Sequence, residues 1–213
     1  MDHRVDHTFR TRVASALFAA SCLLWLPGQA QQFDHTGVLK NLDGTPFSET
    51  TQAKAALIVY VFISNECPIS NRYAPEYQRW VEGYGKRGVS FRFIHPVREE
   101  TLKEIREHTA SYSIPGLVLA DPTQEFARRC GVRVTPEVVV VTSEGRQVYR
   151  GRIDDRFPSL TQHRPQAVQR ELRDALDRAL SGNLTFSEGP PAVGCRIQFQ
   201  GAAKLPPTLL PQP

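Results

Sequence analysis

A cysteine, a proline and a serine stand close together in Phe62-Ile63-Ser64-Asn65-Glu66-Cys67-Pro68-Ile69-Ser70, at the end of an apolar run. A thiolate is a nucleophile toward disulfides and, in its oxidation chemistry, toward peroxides. Cys67 is therefore the residue whose chemistry has to be placed. Ser70 sits three residues on, where a Cys-x-x-Cys pair would carry its second thiol, so no disulfide can close inside the motif. A second signal is Val134-Thr135-Pro136-Glu137 ahead of Val138-Val139-Val140-Val141. Proline cannot donate to a strand ladder, and a cis peptide at Thr135–Pro136 reconciles it with a strand mouth. The Thr135 backbone is then free to pair with a bound peptide beside Cys67. A third signal is Pro190-Pro191-Ala192-Val193-Gly194-Cys195, where Gly194 permits close backbone approach and Cys195 becomes the internal thiol suited to resolve an oxidised Cys67. The plain alternatives are an inert buried Cys67, an ordinary trans Pro136, and a Cys195 left unpaired in a loose tail.

The chain around these residues has 213 positions, 40% of them hydrophobic and 23% charged, with a formal net charge of +4. No basic run carries interleaved aromatics, which argues against a nucleic-acid partner. Arg4, Arg10 and Arg12 precede an apolar stretch from Val13 to Leu26, short for a membrane span, followed by Pro27-Gly28-Gln29-Ala30. This is a secretory signal pattern over residues 1–30, and a membrane association is expected only if it stays uncleaved. Export puts the protein in a periplasmic or extracellular compartment where disulfides persist. Cys67, Cys130 and Cys195 then remain, an odd number that permits one internal pair.

One domain is expected over residues 31–182, with an irregular tail over 183–213 that carries Cys195. Val38 to Phe47 reads as a hairpin turned at Asp43-Gly44. Ala55–Ser64 reads as a buried central strand, and Pro68 to about Lys86 as a helix kinked at Pro75. A strand over 89–94, a helix over 99–112, a strand over 117–120 and a helix over 123–130 closed by Gly131 follow. Residues 137–142 and 147–151 read as neighbouring antiparallel strands. Pro165–Ser181 is an amphipathic helix with Val168, Leu172, Ala175, Leu176 and Ala179 on one face. The alternation implies an α/β sheet covered on both faces. Cys130, ending a helix, is expected to pack beneath it. Glu66 disfavours a thiolate at Cys67, and Arg72 offsets this if it folds back. Cys67 with His95 is too sparse a set for a metal site, and no cofactor motif appears. The charged run Gly151–Arg156 reads as a solvated loop of local Asp–Arg pairs.

CPISNRYAPE, GVRVTPEVVV, YRGRIDD and GCRI together resemble the thioredoxin-like superfamily. They are most similar to its secreted redoxin branch, grouped with the alkyl hydroperoxide reductase / thiol-specific antioxidant family, over roughly residues 33–200. The resemblance implies a thioredoxin-like α/β fold, a central mixed β-sheet with helices on both faces, extended by the N-terminal hairpin. It also implies Cys67 as nucleophile, Ser70 in place of the resolving cysteine, and Thr135-Pro136 as the cis-proline loop. Ser64, three residues before Cys67, matches the peroxidase signature, whereas Tyr60 stands where that signature has proline. Arg133 and Arg152 are the candidates to support a peroxide. Gly151–Arg156 is implied to border the thiol. Thr135, Pro136, Pro68 and Arg133 are the candidate substrate contacts. The activity expected is thiol–disulfide exchange by Cys67 with resolution at Cys195 or by an external thiol reductant, on protein or small-molecule disulfides. A peroxidase using Cys67 and a non-catalytic binding module are the competing readings.

Overall fold

The structure, a computed structural model, describes Met1 and residues 38–48 and 55–200. The expected leader over 1–30, apart from Met1, and the tail residues 201–213 lie outside the described residues. Among the described residues no helix is long and apolar enough to cross a membrane.

Strand β2 (Leu57–Phe62) is built from branched and aromatic residues and is buried along its whole length. Such a strand needs partners on both edges and cover on both faces. Parallel β3 (Val89–His95) pairs with one edge and antiparallel β6 (Glu137–Thr142) with the other. Outward from β3 lie β4 (Leu117–Ala120) and then β1 (Lys40–Asn41); outward from β6 lie β7 (Gln147–Gly151) and β8 (Ser187–Glu188). The resulting seven-stranded sheet is mixed, in the order β1-β4-β3-β2-β6-β7-β8. The two-residue period of β2 divides the core. Leu57, Val59, Val61 and Ile63 share one apolar cluster with Tyr77 of α2 (Ala74–Gly85), Ile105 of α3 (Leu102–Ser111) and Leu172, Ala175, Leu176 and Ala179 of α5 (Glu171–Leu180). Ile58, Tyr60 and Phe62 share the other with Phe126, Ala127 and Cys130 of α4 (Glu125–Cys130) and with Leu39 and Phe47 of the N-terminal hairpin. Gly44 takes the positive φ of +92° that this hairpin turn demands.

Three departures from the sequence reading have local causes. The helix after Cys67 does not kink; it breaks at Tyr73 into α1 (Pro68–Arg72) and α2. Pro75 has no N–H for the Asn71 carbonyl, so the first segment ends there and Pro75 opens the second. Helix α5 begins at Glu171, six residues later than Pro165, and Val168 is exposed. The backbone N–H groups of Val168 and Gln169 donate to Asp155 Oδ1 at 2.7 and 3.0 Å, so that stretch is held as a loop on a buried carboxylate. The tail is not irregular throughout. It supplies β8 and β9 (Cys195–Arg196), and β9 pairs antiparallel with β5 (Val134–Thr135) to make a separate two-stranded sheet.

Candidate active site

Cys67 is the N-cap residue of α1 and is completely buried. Its placement follows from the sequence around it. Strand β2 ends at Phe62, a turn carries the chain through Ser64 and Asn65, and Pro68 starts the helix with fixed φ and no N–H to satisfy. The Ser70 N–H points back to Cys67 Sγ at 3.4 Å. The Cys67 thiol donates to the Thr135 carbonyl at 2.8 Å, and the Thr135–Pro136 peptide is cis. The Ser64 and Thr135 hydroxyls are hydrogen bonded at 3.0 Å. The structure thus gathers Ser64, Cys67, Ser70, Thr135 and Pro136 at one end of the central strands. Pro68 is adjacent and exposed.

Cys195 joins them. In the β5–β9 pair it lies directly opposite Thr135, and its N–H and thiol both favour the thiolate at Cys67. Gly194 is essential to this approach. A Cβ there would lie 2.0 Å from the Thr135 carbonyl oxygen, which is backbone and cannot swing away. Both thiols are free.

The electrostatics separate the two sulfurs. Burial pushes the Cys67 pKa up, but the hydroxyl and N–H of Ser70 and the N–H and thiol of Cys195 favour the thiolate more, and the net shift is downward. At Cys195 burial and the neighbouring Cys67 charge act in the same direction, and its pKa rises to about 11. One proton leaves this pair readily, and the charge resides on Cys67. Glu66 and Arg72 are both exposed. Cys130 is buried in the opposite apolar cluster, where burial raises its thiol far above the ordinary range.

The arginines expected near a peroxide are not at the thiol. Arg133 is exposed, its backbone N–H donating to Glu137 at 2.8 Å. Arg152 is bound to Glu171 through Nε at 2.9 Å. Neither is among the groups that act most strongly on Cys67. The Gly151–Arg156 run is structural. Asp154 accepts from Tyr73, which caps α1, and from Arg156 Nε at 3.0 Å, while the Arg156 guanidinium covers the Tyr73 ring. This ties the α1–α2 break to the sheet beneath the thiol.

A buried polar network escaped the sequence reading. Glu100 accepts the Asn65 N–H at 2.7 Å and His95 Nδ1–H at 2.7 Å. Asn71 donates to the Asn65 carbonyl at 2.9 Å and accepts from His108 Nε2–H at 2.7 Å. Asn65 and Asn71 bracket the Cys67 turn, so the network holds the loop that carries Cys67. The visible signal was the pair of short amides flanking Cys67-Pro68, a pattern suited to local turn bonding. Among the described residues no group of three metal-binding side chains converges. A groove of about 460 Å³ between α2 and residues 153–176, with Trp80 and Tyr84 on its wall, does not reach either sulfur.

A seven-stranded mixed sheet with a buried strand-end cysteine beside a cis-proline is a thioredoxin-type arrangement, and comparison with known proteins agrees. The Redoxin family profile matches residues 28–163. The chain belongs to the Redoxin family. A protein of unassigned function from Geobacillus kaustophilus is 28% identical, with a TM-score of 0.67 over 79% of this chain and 90% of that one. A hypothetical protein from Sinorhizobium meliloti 1021 is 26% identical, with a TM-score of 0.66 over 78% and 92%. A thioredoxin-like protein from Porphyromonas gingivalis shares the fold at 17% identity, TM-score 0.51, over 73% and 92%. No curated protein matches. As a Redoxin the chain is a thioredoxin-fold redox protein, and the Cys67 turn, the cis-proline loop and β9 are the parts of that fold that meet.

Proposed function

We propose that the protein is an exported thiol–disulfide oxidoreductase in which Cys67 is the nucleophile and Cys195 the resolving thiol. The observation that carries this is the register of β9 on β5, which sets Cys195 across from Thr135 and against the Cys67 sulfur. The Cys67 thiolate attacks one sulfur of a disulfide. The new S–S bond joins Cys67 to that half, and the other half leaves as a thiolate that takes a proton from solvent. Deprotonated Cys195 then attacks the Cys67 sulfur and releases the second half. Two electrons pass from the cysteine pair to the disulfide, and an external thiol reductant returns the pair to the dithiol. Ser70 keeps the motif from closing on itself and helps hold the thiolate. The export reading rests on the residue pattern of positions 4–30.

A peroxide as the oxidant is the second reading, favoured by the family and by the enclosed position of Cys67. The thiolate then takes the terminal oxygen as sulfenic acid, the alcohol or water leaves, and Cys195 forms the disulfide with loss of water. A binding module without redox turnover is separated from both by Cys67→Ser. An enzyme loses all reductant-coupled turnover with this change while its melting temperature stays near that of the wild type. Unchanged function in Cys67→Ser sinks both enzyme readings.

A further inference from the structure

Thioredoxin-type pairing at the Thr135 edge would bring whatever residue lies opposite Thr135 to the Cys67 sulfur. In this chain the edge is filled by the protein's own β9, and the residue opposite Thr135 is Cys195. The segment is fastened at many points beyond that pair. Ile197 donates to the Arg133 carbonyl at 3.0 Å, and its side chain is buried in the α4-side apolar cluster. Phe199 packs on the same cluster beneath the Arg128 guanidinium, 5.0 Å from its ring centre. Arg98 and Arg128 both bind Gln200. Gln124 holds the strap from inside. It is 2% exposed, takes a left-handed φ of +58° at the start of α4, and uses both ends of its amide. Its Nε2 donates to the carbonyls of Pro96 at 3.0 Å and Gln198 at 2.9 Å, and its Oε1 accepts from the Gln200 N–H at 3.2 Å.

We infer that residues 194–200 are a built-in occupant of the peptide-docking edge, latched by Gln124, and that Cys67 therefore accepts small oxidants and excludes protein disulfides. The inference rests on Cys67 being the nucleophile and names the class of oxidant it meets. An extended peptide needs the Thr135 N–H and C=O that β9 and Cys67 already use. A low-molecular-weight disulfide or a hydroperoxide needs a path to the buried sulfur but not the strand edge. Reaction with a peptide waits for the strap to open, and the open fraction is set by the strap's own fastenings.

The test measures second-order rates of Cys67 oxidation in the reduced wild-type protein with three probes: hydrogen peroxide, cystamine, and a peptide carrying a mixed disulfide in extended sequence. The same rates are measured in Gln124→Ala and in Phe199→Ala. The wild type is expected to react with the peptide at least about tenfold more slowly than with cystamine, and loss of the Gln124 bonds is expected to raise the peptide rate about tenfold or more. The small-probe rates are expected to stay within about threefold, because neither variant touches the sulfur. Equal wild-type rates for peptide and cystamine overturn the inference, and this comparison needs no variant to fold. Variants whose residues 195–200 lose hydrogen-exchange protection while the peptide-to-cystamine ratio stays fixed overturn it as well. A Cys67 that reacts with none of the three probes refutes the nucleophile reading itself, and this inference with it.

Discussion

At the scale of single residues, the functional asymmetry lies in two sulfurs that share one set of hydrogen bonds. Both are drawn out of water, which disfavours a thiolate at either. Cys67 is compensated by the polar groups of Ser70 and Cys195, and Cys195 is not. Whichever sulfur has the lower pKa is both the more ionised attacker and the better leaving group from a disulfide. In the proposed Cys67–Cys195 disulfide, a reductant attacking at the partly exposed Cys195 sulfur would therefore expel the stabilised Cys67 thiolate. Ultraviolet thiolate absorbance against pH should show Cys67 ionising below the ordinary thiol value of 9.0 and Cys195 near 11. Ser70→Ala removes a donor and should move the first step upward while leaving the fold intact. A first step unmoved by Ser70→Ala would mean that the serine only fills space. The meeting of Cys67 with the cis Thr135-Pro136 loop was legible in the sequence, because strand, Cys-Pro and Thr-Pro punctuate the chain at places where apolar runs end. The placement of the two candidate arginines was not legible. Arg133 and Arg152 were near in sequence, but Arg133 faces solvent and Arg152 is tied to Glu171. A guanidinium on a long stem has its direction set by tertiary partners that a sequence does not print.

At the scale of elements, β9 is two residues long and has no strength alone. It forms because Gly194 lets the chain pass against the Thr135 carbonyl and because Ile197 and Phe199 are drawn into an apolar cluster. Gly194→Ala should detach it. The added Cβ meets backbone at 2.0 Å, which should cost about 1–3 kcal/mol in stability and slow formation of the Cys67–Cys195 bond under mild oxidation. Denaturant unfolding and quantitation of free thiols measure the two effects. Normal stability and normal disulfide formation in Gly194→Ala would contradict the observed register. The main sheet was legible to within a residue or two at β3, β4, β6 and β7, where apolar runs are bounded by turn residues. The start of α5 was not, because Pro165–Gln169 has helical periodicity but the buried Asp155 carboxylate captures its N–H groups. The tail strands were not either, since Pro-rich sequence carries no alternation and these strands exist only by pairing.

At the scale of the whole molecule, the loop carrying Cys67 is braced across the sheet end by Glu100, His95, Asn71 and His108. The cost of that brace is visible in pH dependence. Burial, added to by the charge of His95 and opposed by Glu100, pushes the His108 pKa down from 6.5 to about 4. Between these values the unfolded chain holds a proton that the folded chain does not, so the unfolded state is favoured as pH falls. The His108 contribution is intact above pH 6.5, declines through the window and is flat below about 4. Denaturant midpoints across this range should fall more steeply for the wild type than for His108→Gln, which keeps a donor for Asn71; identical slopes would show that His108 titrates as it does in water. The pairing of the two sulfurs is read most directly by disulfide mapping of the protein after one equivalent of a small oxidant, by mass spectrometry of unreduced peptides. A reversible Cys67–Cys195 bond with Cys130 left as a thiol is the result expected from the β5–β9 register. A Cys67 that stays free, or that pairs with Cys130 or with a second chain while Cys195 remains reduced, would contradict it.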